Sequence, residues 1–181
     1  MLGVNAFQVL LAGTVGIVAE STGLLGAALD NLSDAAVYVV SLYAVGRSVA
    51  AKSRAASLSG VLLVLSGLVL LGEIIRRFAV EPEPAGWAMI FTAMINAASN
   101  LVNMRLLRRH SEKGVHMKAS IIFTGNDMLV NLGIVLSGIA IMVFKSPVPD
   151  LLIGLVVTGV VIRGGITILS HARKARNPGD Q

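Results

Sequence analysis

What most constrains this chain is a recurrence of long apolar stretches, six in all, separated by short polar breaks. A helix of about 20 apolar residues crosses the roughly 30 Å hydrocarbon core of a membrane, and in lipid every backbone polar group needs a partner within the protein. The stretches run from about Met1 to Ala19, Leu24 to Gly46, Leu58 to Ala79, Ala85 to Leu107, Ala119 to Phe144 and Leu151 to Ser170. The expected fold is an all-α membrane protein with six transmembrane helices over residues 1–172. A short basic tail, 173–181, is expected to follow, with no room for another domain. Composition agrees: 55% of the 181 residues are hydrophobic and only 14% charged, too apolar for a soluble domain of this size. The first stretch is not read as a signal peptide, because it lacks a charged n-region and a small-residue cleavage signature, and more membrane helix follows directly.

Basic residues orient the spans. Arg47, Lys52 and Arg54 form a basic loop in GRSVAAKSRAAS after span two. Arg105, Arg108, Arg109, Lys113 and Lys118 follow span four, and Arg173, Lys174 and Arg176 lie in the tail. The opposite side holds Arg76, Arg77 and Lys145, so the positive-inside rule puts both termini in the cytoplasm. Arg163, within span six, either snorkels to the cytoplasmic end or neutralises a buried carboxylate. No basic run is interleaved with aromatics, which argues against nucleic acid as a partner. There is no cysteine, so disulfides and thiolate chemistry are absent.

Against this apolar background the acids stand out. Span two contains ALDNLSDAAVYV, with Asp30 and Asp34 four residues apart on one helical face. A charge at mid-bilayer costs at least about 2.5 kcal/mol, so two of them need a use, unless the helix boundary is displaced and both sit in interfacial water. Span five repeats the pattern in FTGNDMLVNLG, where Asp127 and Asn131 are again four apart, and Asn126 points about 100° away from Asp127. If spans two and five are antiparallel neighbours, Asp34 meets Asp127 in depth and Asp30 meets Asn131. They are also the middle helices of two three-helix halves, compatible with an inverted repeat. Carboxylates crowded in low dielectric cannot all stay ionised without a counter-charge, so protons and a divalent cation compete for the same oxygens. That competition is the chemistry of a metal-for-proton exchanger.

Other polar positions have plainer readings. Span four carries Asn96, Asn100 and Asn103 on one face, which either line a wet path or serve as interhelical hydrogen-bond glue. Glu73 lies a turn from Arg76 and Arg77 and reads as an interfacial ion pair. Gly60, Gly67 and Gly72 permit close packing of span three. Trp87, behind the break EPEPAGW, suits an interface anchor, and His110 and His116 read as solvated loop residues.

The six spans, the run STGLLGAALDNLSDAAVYVVSLYAVGRS and the run MKASIIFTGNDMLVNLGIVLSG together resemble the cation diffusion facilitator family of divalent metal transporters, particularly its bacterial cobalt, zinc and cadmium efflux components. The resemblance implies a cation-efflux-type transmembrane domain in the bacterial inner membrane and export of zinc or a similar ion in exchange for protons. It also implies a site shared by spans two and five, with Asp30, Asp34 and Asp127 as ligands, and a homodimer. The metal is substrate; no cofactor and no catalytic residue is expected. Two features depart from the family pattern. Phe123 occupies the position where many members carry a histidine, so Asn131 or water must complete the site, or the site is defective. An all-oxygen set favours manganese, iron(II) or cobalt more than a site with imidazole does. The cytoplasmic domain that often dimerises these proteins is not expected, which leaves the membrane helices to form a dimer. The alternative is a non-transporting paralogue or accessory membrane subunit. An intramembrane aspartyl protease fits poorly, since the tightest acid pair here lies on one helix, and no nucleotide loop, triad or zincin motif points to an enzyme.

Overall fold

The computed structural model describes residues 2–44, 46–80, 82–108 and 115–176; the side chains at 41, 44, 103, 106–108, 115–126 and 175–176 also lie outside the description. The described residues form six helices and no strand: α1 (Leu2–Val18), α2 (Thr22–Ala44), α3 (Val49–Val80), α4 (Gly86–Arg108), α5 (Val115–Phe144) and α6 (Val148–Arg176). Parts of α2, α3, α5 and α6 are long and apolar enough to cross a membrane, while α1 and the apolar part of α4 are shorter.

The helix ends follow local chemistry. Glu20 adopts a left-handed φ of 51°, and Ser21 N–H reaches back to Gly16 O at 2.9 Å, closing α1. The Ser21 hydroxyl then accepts Leu24 N–H at 3.1 Å as the cap of α2, so the chain reverses within three residues. The expected basic loop after span two is instead largely helix. Ser48 caps α3 by accepting Ala51 N–H at 3.3 Å, and Lys52 and Arg54 ride on its first turns. The alanines of VAAKSRAAS are strong helix formers and extend α3 well before Leu58. Likewise α6 continues through HARKAR to Arg176, so the start of the expected tail is helical.

Polarity is distributed inside out relative to a soluble protein. Leu10, Val18, Val69, Phe91, Phe144 and Val156 are exposed, whereas Asn5, Gln8, Asn31, Asn96, Asn100, Asp127 and Asn131 are buried. In water this arrangement would leave a large apolar surface solvated; in lipid the same surface is matched and the polar groups are sheltered.

Helix α2 is the hub, packing on α1, α3, α5 and α6. Helices α1, α2, α5 and α4 close a ring, each touching the next, and α3 pairs with α6 outside it. Leu24, Met89 and Ile134, all fully buried, join Ala27, Ala93 and Ile141 in an apolar core between α2, α4 and α5. Small residues set the close approaches. A Cβ on Gly60 would stand 2.9 Å from Gly165 O, and one on Gly67 would stand 2.6 Å from Ile162 Cγ1, so both glycines of α3 serve its packing on α6. Gly72 does not: nothing lies within 4 Å of its would-be Cβ.

Polar clamps tie one end of the bundle together. Ala85 N–H donates to Ala19 O at 3.0 Å, joining α4 to the α1–α2 turn. Glu73 accepts two hydrogen bonds from Arg76, both 2.8 Å, and one from Arg77 Nε at 2.7 Å, so the expected ion pair is present. Arg77 also donates to Glu20 O, which carries the ion pair across to the turn. At the opposite end, Ser53 Oγ donates to Ala172 O at 2.7 Å between α3 and α6.

Candidate metal site

Asp30 and Asp34 lie well inside α2, with Asp34 twelve residues beyond Thr22 and ten before Ala44. At 1.5 Å per residue that is roughly 15–18 Å from the helix ends, so Asp34 sits near the middle of α2 and not at a helix boundary. Asp127 and Asn131 share one buried face of α5 with Ile134 and Ile141. Because α2 and α5 pack together, Asp127 comes within electrostatic reach of Asp34 and, more weakly, of Asp30. Among the described residues no hydrogen bond is donated to these three carboxyls.

The grouping is looser than a finished coordination sphere. Among the described residues no set of three or more Asp, Glu, His or Cys side chains converges closely enough to hold a metal ion. Asp127 is buried, whereas Asp30 and Asp34 are half-buried. Asn31, between the two aspartates in sequence, is only 3% exposed and lies on the same buried helical face as Leu24 and Ala27. Asn31 lies one turn after Ala27, on the stripe that enters the core, a position that the spacing of the acids does not mark.

Asn31 and Asn131 are held alike. Asn31 Nδ2 donates to Ala27 O at 2.8 Å and Asn131 Nδ2 to Asp127 O at 2.8 Å. Each amide is pinned to the carbonyl one turn back, and each Oδ1 is buried without a partner. Across the ring, Gln8 Nε2 donates to Asn96 O at 3.0 Å and to Asn100 Oδ1 at 2.8 Å, joining α1 to α4. Asn100 thus acts as interhelical glue, while both polar atoms of the Asn96 side chain lack a partner. The burial of Gln8 and Asn5 follows from the pairing of α1 with α4.

Close approaches fix the level of these groups. Gly86 and Gly138 are in near backbone contact, a would-be Cβ on either lying 2.6–2.8 Å from the other's carbonyl oxygen. Asn96 is ten residues below Gly86 and Met128 ten residues before Gly138, which places Asn96 level with Asp127. Ala19 and Ala85 are bonded, and Gln8 and Asn96 each lie eleven residues from them. Gln8, Asn96, Asp127 and Asp34 thus occupy one layer of the ring. Arg163 is exposed on α6 and pairs with no carboxylate among the described residues, so it neutralises none of these acids. The side chains of Asn103, His116, Phe123 and Asn126 lie outside the described residues, as does His110 entirely.

A third polar group lies where α6 begins. Asp150, 1% exposed at the start of α6, accepts Ser21 Oγ–H at 2.6 Å, Thr22 N–H at 2.6 Å, Thr22 Oγ1–H at 2.9 Å and Gly23 N–H at 3.0 Å. It caps the N-terminus of α2 from a different helix, where the helix dipole favours negative charge. All its acceptors are committed, and its part is to hold α2 against α6.

Comparison with known proteins agrees with this architecture. The family described as the cation efflux transmembrane domain matches residues 1–175. The chain is 25% identical to the cadmium, cobalt and zinc/H(+)-K(+) antiporter of Bacillus velezensis, over 91% of this chain and 58% of that protein. It is 28% identical to the zinc transporter ZitB of Pectobacterium atrosepticum, over 87% of this chain and 53% of that protein. A cadmium, cobalt and zinc/H(+)-K(+) antiporter of Bacillus subtilis is 26% identical over 63% of this chain and 37% of that protein. The chain thus spans about half the length of the first two of these curated relatives.

Proposed function

This chain belongs to the cation efflux transmembrane domain family, and from that premise we propose that it forms the membrane pathway of a secondary transporter that exports a divalent metal cation in exchange for protons. Zinc, cobalt and cadmium are the first candidates, since the relatives named above carry them, and manganese and iron(II) suit the oxygen-only donor set. Asp30, Asp34, Asp127 and Asn131 are the proposed ligands. The observation that carries the proposal is the packing of α2 on α5, which brings Asp127 within electrostatic reach of Asp34 and Asp30, with no hydrogen bond donated to these carboxyls among the described residues.

The looseness of the group has a place in this mechanism. Ionised carboxyls on neighbouring helices repel, and the repulsion is relieved when they take up protons or share a cation. Ion binding would draw α2 and α5 together; protonation would release the ion. The acids then alternate between metal and proton as the site opens to either side of the membrane. Both termini are proposed to be cytoplasmic. The exposed apolar faces give a homodimer a surface on which to form through the membrane helices.

The test is transport in sealed proteoliposomes, with zinc, manganese, cobalt, cadmium and iron(II) supplied in turn, with and without a pH gradient. Wild-type protein should move at least one of them in a gradient-dependent way, and Asp127→Ala should abolish that flux. Undiminished transport by the variant would overturn the proposed site. A wild type that binds metal without moving it would point instead to an accessory subunit.

A further inference from the structure

Six buried carboxamide atoms of the four-helix ring lack a hydrogen-bond partner: Gln8 Oε1, Asn31 Oδ1, Asn96 Oδ1 and Nδ2, Asn100 Nδ2 and Asn131 Oδ1. None of these five side chains is more than 3% exposed. In a membrane interior, where no bulk water is at hand, orphan polar atoms on this scale call for a ligand. Their identity as acceptors is secured by their other ends. Asn31 and Asn131 each spend Nδ2 on a backbone carbonyl, and Gln8 spends Nε2 on Asn96 O and Asn100 Oδ1, so a flipped amide would set oxygen against oxygen.

The surplus is four acceptors to two donors, and that ratio indicates the ligand. A bare cation would suit the oxygens but be opposed by the N–H groups of Asn96 and Asn100. A neutral apolar molecule would satisfy nothing. Water satisfies both kinds of atom, and water bound to a cation is a stronger donor than free water, matching the excess of acceptors. The proposed aspartate group, at the same level of the ring as Gln8 and Asn96, offers a seat for such a cation.

Resting on the proposed metal site, we infer that this chain takes its divalent cation partly hydrated, with the aspartates as direct ligands and with Gln8, Asn31 and Asn96 accepting hydrogen bonds from water that stays on the metal. The carboxamides are then specificity-determining residues. A layer of this kind favours ions that keep water within a six-oxygen shell, such as manganese(II), over zinc, which sheds water to become four-coordinate. The same layer explains how a site can work without an imidazole: water fills positions that the protein does not.

Titration calorimetry of the purified full chain with Mn²⁺ and Zn²⁺ tests this, using Gln8→Met and Asn96→Leu, which keep side-chain volume but remove the acceptors. Each variant should weaken Mn²⁺ binding about tenfold, the scale of one lost hydrogen bond, and leave Zn²⁺ within about twofold. Proton ENDOR of Mn²⁺ bound to the unmodified chain, compared in light and heavy water, gives a readout independent of how the variants fold; exchangeable protons from coordinated water should be present. A metal-bound wild type without such protons, or variants that weaken both ions equally, would overturn the hydrated-ion inference and leave the metal site standing. A wild type that binds no divalent ion would overturn both.

Discussion

Replacing Asp150 tests how the bundle is held at one end. The carboxylate accepts hydrogen bonds from Ser21, from the backbone and hydroxyl of Thr22 and from the backbone of Gly23, and it is almost fully buried. Asp150→Ala strands two first-turn N–H donors of α2 and leaves the Ser21 hydroxyl short of an acceptor, while the Thr22 hydroxyl keeps the Asp150 backbone carbonyl at 3.0 Å. Hydrogen bonds to a charged group contribute about 1.5–3 kcal/mol each, and the variant recovers part of that by no longer burying a charge. The net loss should be about 3–5 kcal/mol, within the range for breaking a buried charged network. Asp150→Asn keeps the shape and one acceptor but turns an amide toward N–H donors that cannot reverse, so about 2 kcal/mol should be lost. Unfolding in mixed SDS micelles, followed by the fluorescence of Trp87, the single tryptophan, measures both. Ser21→Ala supplies the cycle: combined with Asp150→Ala it should cost less than the two separate losses together, because both remove the same bond. An Asp150→Ala protein within about 1 kcal/mol of wild type would refute the view that this carboxylate caps α2.

Four further variants can be checked by the same unfolding assay. Gly165→Ala should destabilise by about 1–3 kcal/mol, since its Cβ would stand 2.8 Å from Val64 Cγ2 and 3.0 Å from Gly60 O. Gly159→Ala, in the same helix with nothing within 4 Å, should be neutral or stabilising by up to about 1 kcal/mol through helix propensity. Arg77→Ala should cost about 2–4 kcal/mol, because it releases both Glu73 and Glu20 O from a nearly buried guanidinium, while the exposed Arg76→Ala should change stability by less than about 1 kcal/mol.

Much of the architecture could be read from residues near one another in the chain. The number and order of the helices follow from apolar stretches bounded by polar breaks, and the depth of Asp34 and Asp127 follows from counting along those stretches. The ion pair of Glu73 was equally local, set by neighbours three and four residues away. Local chemistry was also where the expected boundaries failed. The basic stretch after span two looked like a loop because of its charge, yet Ser48 and the alanines make it the start of α3. Net charge reports which side of a membrane a segment lies on; it does not report backbone conformation.

By itself, then, the sequence determined an inside-out helical protein with acids well inside two of its apolar helices, because hydropathy and the 3.6-residue period are properties of single segments. Which polar faces would meet was decided only by the tertiary structure. Asn31 rather than Asp30 turns most fully inward, Gln8 reaches Asn96 and Asn100, and Asp150 caps a helix 128 positions away in sequence. The physical reason lies in the solvent. Lipid is as apolar as a leucine face, so hydrophobicity does not choose among helix partners, and the choice falls to small residues and buried hydrogen bonds. Gly60 against Gly165, and Gly86 against Gly138, bring the backbones close enough for that choice to be made.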